Sequence, residues 1–91
     1  MSQLTPNSPF TQLAVTGVQS SHVLASATSR VHLKNLTASA GEVFLKTSTG
    51  VTTGNGFPVA AGELVSFAVL PGTALFLISD ATATLAVAEE F

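Results

Sequence analysis

The chain has no cysteine, no tryptophan and no tyrosine among its 91 residues, and only three Lys or Arg against five Asp or Glu. Without cysteine there is neither a disulfide nor a thiolate metal site. Without Trp or Tyr a sugar-binding surface lacks its usual stacking platform. Three cations release too few counterions for useful affinity to nucleic acid, and a net charge of −2 with a pI near 5.4 supplies no long-range attraction to it. Long apolar runs are also missing. The longest falls well short of the ~20 residues that cross a bilayer as a helix, and Pro71-Gly72 interrupts the region that comes nearest. No membrane partner is expected. The opening "MSQLTPNSPF" has neither a basic start nor an apolar stretch, so no signal peptide is expected and the protein reads as one made in the cytoplasm.

What the chain does contain is apolar residue. Hydrophobic side chains reach 46% and mean hydropathy is +0.52, while charged residues are 9%, against about 25% in an average soluble domain. One domain of this size buries only about three-fifths of its unfolded surface. Domains so thin usually add disulfides, a metal or partners. Two His without clustered carboxylates do not make a metal staple, and no cofactor motif is present. Partners remain.

Short apolar or alternating runs, rich in Val, Thr, Leu, Phe and Ala, recur between turn signals. Strands are expected near 10–17, 22–25, 29–36, 42–47, 56–59, 63–70, 74–79 and 82–88. The expected class is all-β: a single small jelly-roll-like β-sandwich or barrel of about 7–8 short antiparallel strands. Residues 1–9, with Pro6 and Pro9, read as an extended arm before a sandwich at 10–91.

Two local hairpins are self-consistent. Joining 29–36 to 42–47 places Arg30, His32, Lys34, Phe44 and Lys46 on one face and Val31, Leu33, Val43 and Leu45 on the core face. Joining 63–70, 74–79 and 82–88 sets Val65, Phe67, Val69, Ala74, Phe76, Ile78, Ala83 and Leu85 inward. Pro71-Gly72 suits a type II turn better than a tight hairpin, so that connection is also compatible with a crossing between sheets. The opposite face then holds Ser66, Ala68, Leu75, Leu77, Thr82 and Thr84, a candidate self-association surface. Its cover is either another chain or a loop of the same chain, such as 48–57.

Chemistry is sparse. The Ser and Thr residues lack a G-x-S-x-G mount, His22 sits beside a turn, and His32 lies on the basic strand face. Glu89 and Glu90 read as a solvated tail, and Asp80 as a turn support. "GVTTGNG" at 50–56 lacks the Lys and helix of a phosphate loop, so Gly54 and Gly56 are read as sources of positive φ. Asn35-Leu36-Thr37 fits a glycosylation sequon by coincidence. No enzyme is expected. Arg30, His32, Lys34 and Lys46 form a basic stripe that either docks on an acidic partner or keeps one face wet.

The stretches "LAVTGVQSSHVLASATSRVHLKNLT", "EVFLKTSTG", "FPVAAGELVSFAVLPGT" and "ATATLAVAEE" resemble small β-structured virion proteins of tailed bacteriophages, of the capsid decoration (cement) type. The resemblance spans about residues 12–90 and lies in cadence rather than in a diagnostic motif. It implies a symmetric homo-oligomer, trimer or dimer, on the outer phage head, bound to the major capsid protein or other virion proteins. Leu4, Pro6, Pro9 and Phe10 of the arm, with the basic face, become the candidate capsid contacts. The alternatives are another head, neck or tail component (a head fibre base or adaptor) and a non-catalytic carbohydrate-binding module.

Overall fold

A computed structural model describes residues 10–37 and 41–91. It contains strands β1 (Phe10–Val15), β2 (Ser20–Val23), β3 (Arg30–Asn35), β4 (Val43–Lys46), β5 (Phe57–Val59), β6 (Leu64–Ala68), β7 (Ala74–Ser79) and β8 (Ala83–Glu90), and no helix among the described residues. Leu4, Pro6 and Pro9 lie outside those residues. Phe10 opens β1, its backbone opposite Ala88.

Two four-stranded sheets form, in the orders β1-β8-β3-β6 and β2-β7-β4-β5. The pairing is nested. Phe10 lies opposite Ala88, Ser20 opposite Leu77, Arg30 opposite Ala68 and Val43 opposite Val59. Each step inward from one end of the chain is matched by a similar step from the other. The chain is therefore one long antiparallel hairpin, with its tip in the loop after β4, rolled so that successive pairs fall alternately in the two sheets. This strand order is that of a jelly roll.

Successive side chains on a strand point to opposite faces, and each sheet contributes one face to the core. Val15, Val31, Leu33, Leu85 and Val87 meet Val43, Leu45, Val59, Leu75 and Leu77 across the sandwich. Val31, Leu33, Val43 and Leu45 point inward as expected, but the hairpin that suggested it does not exist. β3 pairs with β6 and β8, while β4 pairs with β5 and β7. The link from β3 to β4 crosses between sheets.

The second expected hairpin fails for the same reason, with a larger consequence. Leu70-Pro71-Gly72-Thr73 is a turn closed by the Thr73 amide on the Leu70 carbonyl at 3.2 Å, with Gly72 at φ 74°, a type II geometry. It carries the chain from one sheet to the other, so β6 and β7 do not pair. The inward set of β7 is shifted by one residue. Leu75 and Leu77 are 2% and 1% exposed and sit in the core, whereas Ala74, Phe76 and Ile78 face outward, half-buried. The expected face of Ser66, Ala68, Leu75, Leu77, Thr82 and Thr84 is thus not one surface. Ser66, Ala68, Thr82 and Thr84 are exposed without the leucine pair. The opposing sheet covers Leu75 and Leu77, not loop 48–57.

That loop is tied elsewhere. The Gln19 side-chain oxygen accepts from the amides of Gly50 and Val51 at 2.8 and 3.0 Å, and Val51 is buried. Positive φ occurs at Gly41, Gly50, Gly62 and Gly72, not at Gly54 or Gly56. Gly56 is required for a different reason. A Cβ there would stand 2.7 Å from the Phe44 Cβ, 2.9 Å from Val51 Cγ2 and 3.0 Å from the Leu45 amide nitrogen. Gly56→Ala is expected to cost about 1–3 kcal/mol through overpacking, whereas Gly54→Ala, with its nearest neighbour at 3.8 Å, stays close to wild type. Urea unfolding of the two variants checks this.

Candidate functional site

The chemistry-bearing side chains collect around the end of β8, which adjacent glutamates place on both of its faces. Leu85 and Val87 face inward, so Glu89 does too. Glu90 faces outward with Ala86 and Ala88. Neither is a solvated tail: they are 3% and 7% exposed.

Glu89 lies at the margin of the core. Its Oε1 accepts from the Ala25 amide and from the Thr28 hydroxyl, each at 2.7 Å. Its Oε2 stands 3.6 Å from Nε2 of His22 on β2, beyond hydrogen-bond length. That Nε2 is buried and has no hydrogen-bond partner. A carboxylate out of water needs donors, and here the β2–β3 crossover supplies them. Glu89 is a tie between the two sheets.

Glu90 works on the outer face of the first sheet. His32 and Ser66 are directly opposite each other on β3 and β6. His32 Nδ1 meets Ser66 Oγ at 2.6 Å, and its Nε2 contacts Glu90 Oε1. A carboxylate only accepts, so Nε2 carries the proton it donates to Glu90, and in the neutral ring Nδ1 accepts from the Ser66 hydroxyl. The order hydroxyl, imidazole, carboxylate is that of a nucleophile, its base and an orienting acid.

Among the described residues the other parts of a hydrolytic centre are not gathered at this point. Acyl transfer also needs donors converging where an oxyanion would form, and each is worth ~3 kcal/mol. Ser66 sits in the middle of a regular strand, and backbone amides run in the plane of a sheet, not towards a side chain standing off it. Beside the three residues lies a shallow groove of ≈340 Å³, where Ala86 and Ala88 form a low floor between Gln12 and the side chains of His32 and Lys34. Ser66 does not line it. The arrangement holds three strands together by hydrogen bonds.

The basic stripe is divided. Arg30, His32 and Lys34 stand on the outer face of the first sheet, but Lys46, paired with Phe76, stands on the outer face of the second. The four cannot form one docking surface, because β3 and β4 belong to different sheets. Asn35, first residue of the coincidental sequon, has a structural role. It is fully buried, donates to the Gly41 and Val59 carbonyls at 2.8 and 3.0 Å, and accepts from the Thr37 amide at 3.0 Å. The sequon is a structural knot, its amide enclosed.

Reading β8 in steps of two from Leu85 would have placed Glu89 inward. Nothing in the sequence pairs Ser66 with His32, 34 residues apart.

The outer face of the second sheet is largely apolar, with Ser21 and Lys46 on either side of Phe76. Phe76 and Ile78 of β7 stand beside Phe44 of β4, with Val23 of β2 and Pro58 of β5 flanking them. Val23 and Pro58 are exposed, and the two phenylalanines and Ile78 half-buried. Lys46 is the charged side chain among these paired positions.

No family model, curated protein or solved structure matches this chain. Among the described residues no group of His, Asp and Glu is arranged to hold a metal, and no helix is long and apolar enough to cross a membrane.

Glu89→Ala removes the acceptor for one amide and one hydroxyl at a buried position, and is expected to cost about 2–4 kcal/mol. Glu90→Ala, whose partners reach water, is expected to cost about 1 kcal/mol or less. Chemical denaturation of both variants, read as midpoint at constant slope, checks the order.

Proposed function

We propose that this chain is a non-catalytic structural subunit. It associates with copies of itself and binds an extended protein surface, as a decoration protein on the outer head of a tailed bacteriophage does. One observation carries the reading. The outer face of the second sheet offers Phe44, Phe76, Ile78, Val23 and Pro58 to whatever lies beyond it. A strand with one face turned to water alternates apolar with polar, and β7 does not, since Ala74, Phe76 and Ile78 face outward beside inward Leu75 and Leu77.

The area sets the strength. Strand spacing of ~4.8 Å and a rise of ~3.4 Å per residue make this face on the order of 300 Å². Patches of that size mark interaction sites, yet a stable interface takes about 800 Å² per partner. One such contact is weak alone. On a shell lattice many act together, and effective concentration turns weak contacts into firm attachment. The low charge supports the same reading, because little repulsion opposes association. The jelly roll itself is shared by viral shell proteins, lectins and cupins, so it supports the proposal only as an analogy. In this reading the major capsid protein or another virion protein is the partner, and the virion is the location.

A head fibre base, neck or tail component has the same surface requirement and differs in copy number. Quantifying the chain against the major capsid protein in purified particles separates them: a ratio near the number of lattice sites fits decoration, and a handful of copies fits a neck or tail position. No observation favours the carbohydrate-binding alternative, since the groove floored by Ala86 and Ala88 offers no aromatic ring for stacking.

Phe76→Asp places a charge at the centre of the apolar face, leaving Leu75 and Leu77 in the core. It is expected to lower the mass seen by light scattering toward the 9.2 kDa of a single chain, and to reduce binding to phage heads about tenfold or more. Unchanged mass and unchanged binding would remove this face from the interface.

A further inference from the structure

We infer that the open edge of β6 pairs, antiparallel and about a two-fold axis at Ser66, with the same strand of a second copy of this chain. The inference deepens the assembly reading by naming a contact, and it rests on main-chain geometry rather than on the apolar outer face.

β6 ends its sheet, with β3 on one side and no strand of the described residues on the other. The Val69 amide donates to the Ser29 carbonyl and the Asn35 amide to the Glu63 carbonyl. Hydrogen-bonded and non-bonded pairs alternate in an antiparallel ladder. Residues 63, 65, 67 and 69 therefore bond toward β3, and the amides and carbonyls of Leu64, Ser66 and Ala68 point out of the sheet edge. Natural edge strands are guarded by Lys, Pro, a bulge or brevity. The stretch Leu64-Val65-Ser66-Phe67-Ala68-Val69-Leu70 has no charge and no Pro. Of the other edges, β5 is three residues long and contains Pro58, β2 is four residues long, and β1, six uncharged residues, has the carbonyls at its end bonded by Ser79 of the second sheet.

The side chains beside this edge also await cover. Leu64 and Leu70 are 63% and 79% exposed. Val65, Phe67 and Val69 point inward but are only partly buried. Between β6 and the other sheet an apolar cleft of ≈220 Å³ opens, lined by Phe57, Phe67 and Val69 and reaching Leu45 and Leu75.

A second copy of β6 meets these requirements in register. Centred on Ser66, the pairing sets Leu64 against the partner's Ala68, large beside small. It sets Val65 against the partner's Phe67, an aromatic and β-branched pair of the favoured kind. The partner's Glu63 then falls opposite Val69, at the rim of the cleft. The outer face of the second sheet alone supplies well under half of the ~800 Å² per partner that a stable interface needs. The edge adds a separate, hydrogen-bonded contact. The product is one continuous sheet of eight strands, within the usual range, and an isologous dimer.

The absence of native cysteine makes the test clean. A hydrogen-bonded antiparallel pair has Cα atoms ~5.5 Å apart, inside the disulfide window. Ser66→Cys should form a covalent dimer under mild oxidation, about tenfold or more faster than the exposed control Thr84→Cys, through raised local concentration. Ala68→Pro removes an amide that β3 does not use, so it should raise the dimer dissociation constant about tenfold or more while the melting temperature holds. Should the proline variant fail to fold, Ala68→Glu serves, since it faces Arg30 within the monomer but the partner's Leu64 across the edge. Disulfide formation at position 66 no faster than at 84 overturns the pairing. If Phe76→Asp still lowers the mass in that event, the apolar-face reading survives and only the edge contact falls. A single-chain mass for the unmodified protein and for every variant overturns both.

Discussion

Antiparallel pairing of the first half of the chain with the second half, about the loop after β4, is the constraint on which the rest depends. Once Phe10 lies opposite Ala88 and Val43 opposite Val59, the nested pairs leave only β4 and β5 joined as a local hairpin. Every other link between successive strands crosses the sandwich or leads to a strand paired elsewhere. Rolling the hairpin closes the core with Leu33, Leu85 and Val87 against Leu45, Leu75 and Leu77. The same rolling decides which side of β7 is hidden, which sheets carry the cations, and which strands end as open edges. Most of these pairings join distant parts of the chain, so loop-closure entropy is lost before they are rewarded.

Much of this was legible in the sequence, and the failures have one cause. The eight strands lie close to where turn residues and alternation put them, because Gly, Pro and small polar residues punctuate the chain. For β3 and β4 alternation also gave the right inward faces, since Arg30, His32 and Lys34 could only be outside. β7 offered no such signal. With Ala74, Leu75, Phe76, Leu77 and Ile78 all apolar, both parities look alike, and a slip of one residue exchanges every side chain. Choosing between them required knowing that β7 pairs with β2 and β4, and partner choice in a nested fold is not written locally.

The site followed the same division. Glu89 could be placed inward by counting along β8, but its donors on Ala25 and Thr28 come from a crossover more than sixty residues earlier. The line of Ser66, His32 and Glu90 exists because β6, β3 and β8 lie side by side. It is a consequence of topology. Its polar bonds tie three strands of the first sheet together.

A thin sandwich with few charges thus closes most of its core and leaves two surfaces open, one a sheet face, the other a strand edge with the cleft beside it. Sedimentation equilibrium of the unmodified chain from about 1 μM to about 1 mM tests this most directly. The account predicts a mass that climbs with concentration from 9.2 kDa through even multiples of it. A mass fixed at the single-chain value across the whole range contradicts it.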